Sequence, residues 1–421
     1  MSGRSVRQRG GSAAHRVLVV AHDAMLYGAQ ISLLDILGRI DKERYEPHVV
    51  IPSAGPFTEA LRASGIPLTC GVVQRWIFFP KPMTLRAILR RPWRRLNHPY
   101  VLAFLSWLSL PFRVIVLVLL MRKQRVDLVY TNTATVLDGA LAARLCSIPH
   151  VWHLREGVAG NRDLSSPLPL SWLPGFALSH SATVITNSAG LACRLFGNAS
   201  PPQVKVVHNG IDSAAYLAEQ PEPPLPSLVE GTRLAAVCGA LQERKDVLTY
   251  IRSAARLRDS HPELHHLLIG QGSGDYLARL QNEIDNRGLT DRVHLLGYRS
   301  DMPALLSAID VLVSTAVDEP FGRTLIEAMA AGKPVVSTRS GGPEEIIIHG
   351  ECGFLAEVGD DAAVAEHLAC LLDDAELYAA MGKAARERVL QYFDLDTSVR
   401  KIERIFDEAL RTSENAPDLT S

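Results

Sequence analysis

The stretch "EPFGRTLIEAMAAGKPVV", residues 319 to 336, sets Glu319 before a Phe321-Gly322 pair, begins a helical pattern at Arg323, and carries Glu327 eight positions after Glu319. It follows "VLVSTAV" (311–317), a short β-branched run, so Asp318 to Gly322 reads as a loop at the carboxyl end of a strand. Gly322 lets the backbone approach a ligand closely, and the N–H groups of Arg323, Thr324 and Leu325 form a helix N-terminus suited to an anionic group. Glu327 lies one turn further in, within reach of a neighbouring hydroxyl, and Glu319 is placed to meet a second polar part of the same ligand. A phosphate with hydroxyls on either side describes a nucleotide sugar, with Glu327 on the ribose and Glu319 on the transferred sugar. The spacing alone equally admits a plainer reading, in which Glu327 decorates a helix and Glu319 complements its dipole.

Working outward, strands alternate with helical patterns through the whole chain. "RVLVVAHD", "EPHVVIPS", "DLVYTNT", "HVWHLRE" and "ATVITNS" are separated by helices starting near Ala29, Phe57 and Leu137. Such alternation predicts a parallel sheet with crossover helices. The proline-rich "EQPEPPLPSLVEG" then resists both helix and strand. After it the pattern restarts with "RLAAVCGAL", "HHLLIGQG", "RVHLLGY", "VLVSTAV" and "PVVSTRS". The expected organisation is a basic disordered tail (1–13), a first doubly wound domain (14–215), a linker (216–231), a second doubly wound domain (232–390), a C-terminal helix (391–413) and a frayed end (414–421). Two such domains in tandem place ligands in a cleft at the carboxyl ends of their strands.

A length of 421 residues accommodates two such cores. The net charge of -1 excludes a dedicated nucleic-acid binder. The six cysteines show no CxxC spacing, against a zinc site or a disulfide framework, and fit a reducing cytoplasm.

The opening stretch resembles the E-x-F-G-x-x-x-x-E signature of retaining glycosyltransferases of the GT-B fold, family 4. "YGAQISLLDIL", "VVHNGID", "GYRSDMPALLSAIDVLVSTAVDEPFG" and "SGGPEEIIIHGECGFL" also resemble that family's segments, in its order, from about residue 17 to 395. The resemblance implies two Rossmann-like domains and transfer of a sugar from a nucleotide-diphosphate sugar, UDP- or GDP-linked, to a hydroxyl acceptor with retention. In "CGALQERKDVL", after the turn glycine Gly239, Lys245 matches the family's diphosphate lysine and Arg244 stands beside it. Ala240 occupies the position where the family usually has arginine. Gly28 opens a helix after the first strand, where Tyr27 replaces a second family glycine. In "VWHLREG", His153 resembles the histidine that touches the transferred sugar, and Arg155 and Glu156 stand ready to hold acceptor or sugar. Gly270 of "GQGSG" would border the nucleotide, and Gly297, Tyr298 and Arg299 would lie beside the base. Gly341 and Gly342 would give close approach near the sugar. Phe321 belongs to the signature itself.

The GQGSG loop lacks GxGxxG spacing and follows the second strand of its domain, which sets aside a hydride-transfer reading. No carboxylate or histidine cluster has metal spacing, so the expectation is a metal-independent enzyme without a cofactor, its charges supplied by lysine, arginine and helix dipoles. Two other functions fit the same residues: a nucleotide-sugar epimerase, and a non-catalytic nucleotide-sugar binder.

Residues 75 to 125 hold eleven Lys or Arg and no Asp or Glu. Within it, "NHPYVLAFLSWLSLPFRVIVLVLLMRKQR" approaches transmembrane hydrophobicity, but Pro111 and Arg113 interrupt it, and residues 112–124 are expected to form a crossover helix. The basic residues of 75 to 95 are interleaved with Trp76, Ile77, Phe78, Phe79 and Trp93, which suits an anionic inner-leaflet surface. A peripheral cytoplasmic enzyme acting on a lipid-linked saccharide or lipid is the resulting expectation.

Overall fold

A computed structural model describes residues 14–77, 99–158, 166, 169–225 and 231–414. These form two compact units. One takes the described chain up to Thr186, Ser200–Val207 and the chain from Val399; the other takes Asn187–Ala199 and His208–Ser398.

The first unit is built on β1 (His15–Val20), β2 (Tyr45–Ile51), β3 (Leu68–Cys70), β4 (Leu128–Thr131), β5 (His150–Leu154), β6 (Thr183–Thr186) and β7 (Val204–Val206). They make one parallel sheet in the order β3-β2-β1-β4-β5-β6-β7. Central β1 pairs Leu18 with His48 on one side and with Val129 on the other. Its residues Val17 to Val20 are all buried, as a strand covered by helices on both faces requires. The second unit carries β8 (Arg233–Cys238), β9 (Leu264–Ile269), β10 (Val293–Gly297), β11 (Val311–Ser314), β12 (Val335–Thr338) and β13 (Phe354–Ala356), again parallel, in the order β10-β9-β8-β11-β12-β13. In each sheet the strand order reverses once, between β1 and β4 and between β8 and β11. Crossovers leave those neighbouring strands in opposite directions, which opens a crevice at their carboxyl ends.

The doubly wound α/β reading holds, with differences in detail. β3 and β13 are three-residue edge strands, too short for a period-2 pattern to mark them. The final helix, Leu395–Glu414, does not trail off. From Val399 it joins the first unit, where Glu403 accepts from the Asp41 N–H (2.8 Å), Asp407 accepts from the Tyr45 hydroxyl, and Phe406 packs on Tyr45 and Tyr130. Residues 208–225, including part of the expected linker, belong to the second unit.

Helices α1 (Gly28–Arg39) and α2 (Pro56–Ala63) begin close to their expected starts. Helix α3 runs from Pro99 to Gln124, straight through Pro111, and is twice the length expected. A mid-helix proline deprives an upstream carbonyl of its partner. Here that is the Trp107 carbonyl; one residue earlier, the Ser106 carbonyl accepts from Arg113 Nη1 (2.7 Å) and Ser109 Oγ (3.1 Å). Arg113 itself turns inward onto Asp138 (2.6 Å), while Val114, Leu117 and Met121 enter the core beside Leu18, Val20 and Val129.

Trp76 and Ile77, expected at a membrane surface, are buried instead. The Trp76 indole N–H donates to the Ala134 carbonyl (3.1 Å) and its ring packs on Trp107 and Trp172, while Arg75 pairs with Asp23. The remainder of the basic and aromatic stretch, 78–98, lies outside the described residues, as do the expected N-terminal tail (1–13) and residues 415–421.

Candidate functional site

In the second unit the loops after β8 and β11, the two strands at the reversal, are stitched together. The Val317 N–H donates to the Arg244 carbonyl (2.8 Å), and Thr315 Oγ1 donates to the Asp246 carbonyl (2.9 Å). This stitching brings Lys245 onto Glu319 as a largely buried ion pair. Arg244 Nη1 donates to the Asp318 carbonyl (3.3 Å). Burial alone would raise the Glu319 pKa, but Lys245 and Arg244 outweigh it and hold the carboxyl below its usual range. Asp318 shows the opposite balance: burial pushes it up against the pull of Arg194, whose Nη1 lies 2.7 Å away, and of Arg244.

The geometry of the lysine is held by an uncommon backbone state. Asp246, directly after Lys245, is a non-glycine residue at φ 41°, in the left-handed region. Its carboxylate accepts from Thr249 Oγ1 (2.6 Å), which helps hold it there.

Glycines close the carboxyl ends of β8, β9 and β10 in a row. The Gly239 N–H donates to the Ile269 carbonyl (2.9 Å) and the Gly270 N–H to the Gly297 carbonyl (2.8 Å). A Cβ on Gly270 would sit 1.7 Å from the Gly239 carbonyl oxygen, at a φ of +148°. Gly270 is therefore fixed by the packing of its own loops. Gly322 has φ +107°, and a Cβ on Gly342 would meet the Phe321 backbone at 2.3 Å. The 340–342 loop and Glu319 exchange backbone bonds, Glu319 N–H to Ser340 (3.1 Å) and Gly342 N–H to Glu319 (2.9 Å).

The helix after Gly322 spans Arg323–Ala330. Glu327 is buried on it and accepts from Arg323 Nε (2.6 Å), while the Leu325 N–H already donates to the Gly322 carbonyl (3.0 Å). Phe321 is buried, its ring beside His208 and Phe393. Thr324 is partly exposed in the first turn. Tyr298 is exposed, whereas the Arg299 guanidinium is engaged by Asp301 (2.9 Å) and the Pro224 carbonyl (2.8 Å).

In the first unit, His153 is the penultimate residue of β5 and is buried. Its Nδ1 lies 2.7 Å from the Tyr130 hydroxyl, and its Nε2 is buried without a hydrogen-bond partner. Burial, with Arg155 nearby, pushes its pKa well down, so the ring is neutral at ordinary pH. A chain of contacts leads to the start of α1: Tyr130 to Asn132 Oδ1 (3.2 Å), then Asn132 Nδ2 to the Ala29 carbonyl (3.3 Å). Gly28 thus opens a helix tied to the histidine, although no atom lies within 4 Å of where its Cβ would be. Arg155 Nε donates to the same Asn132 Oδ1 (2.6 Å).

Sequence reasoning missed Tyr130, Asn132, His22 and Gln30. Glu156 accepts from the Ala134 N–H (2.7 Å) and Thr133 Oγ1 (2.9 Å), and its Oε1 is 3.7 Å from His22 Nε2. Burial raises the Glu156 pKa and drives that of His22 down to about 3, so the contact is no ion pair. Gln30 Oε1 is buried here without a partner. These residues come from four separate segments, and only the strand ends bring them together. Among the described residues, no group of three or more His, Cys, Asp or Glu is disposed to hold a metal ion.

Two family models match the chain. "Glycosyltransferase Family 4" covers residues 27–215 and "Glycosyl transferases group 1" covers 223–388. The chain belongs to glycosyltransferase family 4. It is 31% identical over 263 residues to the N-acetyl-alpha-D-glucosaminyl L-malate synthase of Bacillus anthracis, covering 60% of this chain and 66% of that one. It is 25% identical to the UDP-Gal:alpha-D-GlcNAc-diphosphoundecaprenol alpha-1,3-galactosyltransferase of Escherichia coli, covering 68% and 76%. The first of these matches thus spans just under two thirds of the curated relative. Among solved structures, Anabaena HepE in complex with UDP and glucose superposes with a TM-score of 0.73 at 24% identity, over 93% of this chain and 99% of that one. Sucrose-phosphate synthase from Thermosynechococcus elongatus gives 0.70 at 17%, over 94% and 100%. These likenesses place the family 4 chain in the GT-B fold.

Proposed function

We propose that this protein moves a glycosyl group from a nucleotide-diphosphate sugar to a hydroxyl acceptor, with retention of configuration and without a metal ion. The observation that carries the reading is the buried Lys245–Glu319 pair, with Arg244 alongside, at the β8–β11 reversal of a family 4 chain. As the bond from the anomeric carbon to the β-phosphate oxygen breaks, negative charge grows on the diphosphate. Lys245 and Arg244 supply fixed positive charge to meet it, a contribution of about 10²–10³ in rate for one well-placed group.

Freed from Lys245 when the diphosphate arrives, Glu319 accepts from sugar hydroxyls, and Glu327 takes the ribose. Gly239, Gly270 and Gly297 border the nucleotide, with Tyr298 and Arg299 beside the base. Phe321, Gly322 and the helix start at Arg323 and Thr324 support the phosphates. His153 offers its unpartnered Nε2 to the transferred sugar. The acceptor oxygen bonds to the anomeric carbon on the face the phosphate leaves, and its proton passes to the departing phosphate oxygen, giving a nucleoside diphosphate and the glycoside.

The Escherichia coli relative's name specifies a UDP-sugar donor and a diphosphoundecaprenol-linked acceptor, and that of the Bacillus anthracis relative specifies malate. From these we infer a UDP-sugar donor, with a lipid-linked saccharide as the acceptor class, used on the cytoplasmic side of a membrane. Incubation with UDP-, GDP- and ADP-sugars, with and without lipid extract, tests this by release of nucleoside diphosphate. Release from one donor, stimulated by extract, unaffected by chelator and lost in Glu327→Ala and Lys245→Ala, is expected. Conversion of the donor to its epimer without release would establish the epimerase reading instead. Donor binding with neither release nor conversion would establish the non-catalytic one.

A further inference from the structure

Helix α3 has two apolar faces, and the fold uses only one. Ser106, Arg113, Val114, Leu117 and Met121 are buried against the first unit. On the opposite side Leu105, Leu108, Phe112, Ile115 and Leu119 are between 45% and 70% exposed. Their spacing of three, four, three and four residues aligns them into one stripe about 21 Å long at 1.5 Å per residue. A crossover helix on a water-facing surface ordinarily carries polar side chains there. Here the one cation within the stripe's span, Arg113, is turned inward to Asp138. Contiguous exposed apolar surface of this kind marks a contact site.

Spanning is not the explanation. Although Leu105–Gln124 is long and apolar enough, with a mean hydropathy of 1.8, its inner face is committed to the protein core, and β4 starts at Leu128. What surrounds the stripe decides between occupants. Arg122, Lys123 and Arg125 are exposed at its end, and helix α3 carries no acidic residue. A second copy seated by twofold symmetry would bring the same cations against themselves. An anionic lipid surface would be attracted, at about 1 kcal/mol for each nearby charge.

We propose that the outer face of α3 lies in the plane of an anionic bilayer, with Leu108, Phe112 and Ile115 inserted among the acyl chains and Arg122 and Lys123 at the headgroups. This contact differs from adsorption of the 75–95 segment, because it places the apolar side chains of a folded helix below the headgroups. It rests on the reaction above only for its purpose, a lipid-linked acceptor; vesicle binding is read without donor or acceptor.

The test uses the full chain with phosphatidylcholine vesicles, with and without phosphatidylglycerol, by co-sedimentation at low and high salt. Binding to the anionic vesicles is expected, reduced by about 10-fold or more for each of Leu108→Gln, Phe112→Gln and Ile115→Gln, since each forfeits the burial of an apolar side chain. These positions are exposed, so the variants should melt as the parent does and release nucleoside diphosphate from soluble donor at the same rate. In Phe112→Trp, emission should shift to the blue on binding and be quenched by brominated acyl chains. Binding unchanged in all three Gln variants, with no quenching, would overturn the proposal in favour of adsorption by the basic segment. A dimer in light scattering that the Gln variants dissociate, without vesicle binding, would overturn it in favour of a second copy. A monomer that binds no vesicle would overturn it outright.

Discussion

Replacing Lys245 with methionine removes a charge while keeping much of the side chain's length, so its effects separate into two measurable parts. The Lys245 and Glu319 side chains are 17% and 11% exposed. Breaking a fully buried pair costs about 3–5 kcal/mol, because the surviving charge is stranded. Here Arg244 remains near Glu319 and some solvent reaches the pair, so about 2 kcal/mol is expected, or about 6 °C in the melting of a unit of this size. Adding Glu319→Gln removes the stranded charge, so the double variant should regain most of that loss, a coupling of about 1–3 kcal/mol. Activity should not follow stability: both variants should lose about 100-fold or more in kcat, because neither can neutralise the diphosphate. The pH dependence has a definite sign. Glu319 is held below its ordinary pKa in the folded chain, so its contribution is present above about pH 4.3 and fades as pH falls through the lower folded value. Urea melts of parent and Lys245→Met should therefore differ fully at neutral pH and converge in acid. A stability gap that stays constant down to pH ~3.5, or a double variant no more stable than Lys245→Met, would refute the reasoning.

His153→Ala should keep the fold and lose about 10²-fold or more in kcat, whereas Tyr130→Phe, which removes the Nδ1 partner, should lose about 10-fold; because His153 stays neutral, the pH–rate profile should show no limb near 6.5 that His153→Gln abolishes. Gly270→Ala should fail to fold or lose about 3 kcal/mol or more by thermal melt, since its Cβ has no space, while Gly28→Ala should leave stability unchanged and raise the donor KM. Arg113→Met should cost about 3 kcal/mol in urea at neutral pH by stranding Asp138. Burial raises the Asp138 pKa even against Arg113, so the carboxyl's own contribution is greatest in acid and is lost as pH rises, and the Arg113→Met deficit should shrink as pH is lowered. Asp246→Gly should be nearly neutral in stability and activity, whereas Asp246→Val, β-branched in the left-handed region, should destabilise by about 2 kcal/mol and displace Lys245, seen as a lower kcat in donor turnover.

The parts of the molecule that were legible in sequence are those whose determinants are local. Central strands such as β1 and β11 announce themselves as short β-branched runs, and the 319–327 turn carries its glutamates, its glycine and its helix start within nine consecutive residues. Edge strands β3 and β13 left no pattern because three residues cannot show a period of two. Trp76 and Ile77 looked like a membrane anchor because amphipathic aromatics beside arginines serve either an interface or a core; only the packing partners, Trp107 and Trp172, decide. Pro111 suggested a helix break, but the helix continues through it, with Val114, Leu117 and Met121 beyond the proline anchored in the core. The pairing of Lys245 with Glu319 depends on strand order, since their loops are remote in sequence and meet only because β8 and β11 are neighbours.

The same distinction bears on what each unit can recognise. At the β8–β11 reversal the groups are Lys245, Arg244 and a Glu319 held ionised, a set of fixed charges suited to an anionic diphosphate and costly to leave unpaired. At the carboxyl ends of β1, β4 and β5 burial is not outweighed: His22 is driven down to about 3, His153 is kept neutral and Glu156 is pushed toward its neutral acid. The unpartnered Gln30 Oε1 can accept from a hydroxyl, and the unpartnered His153 Nε2 can donate or accept according to its tautomer. A carbohydrate hydroxyl can satisfy them without bringing a counter-charge. The two sheets thus share one topology, and burial disfavours the charged form in both; at Glu319 of the second unit Lys245 and Arg244 outweigh it, which suits charge neutralisation, whereas at His153 and Glu156 of the first it prevails, which suits hydroxyl recognition.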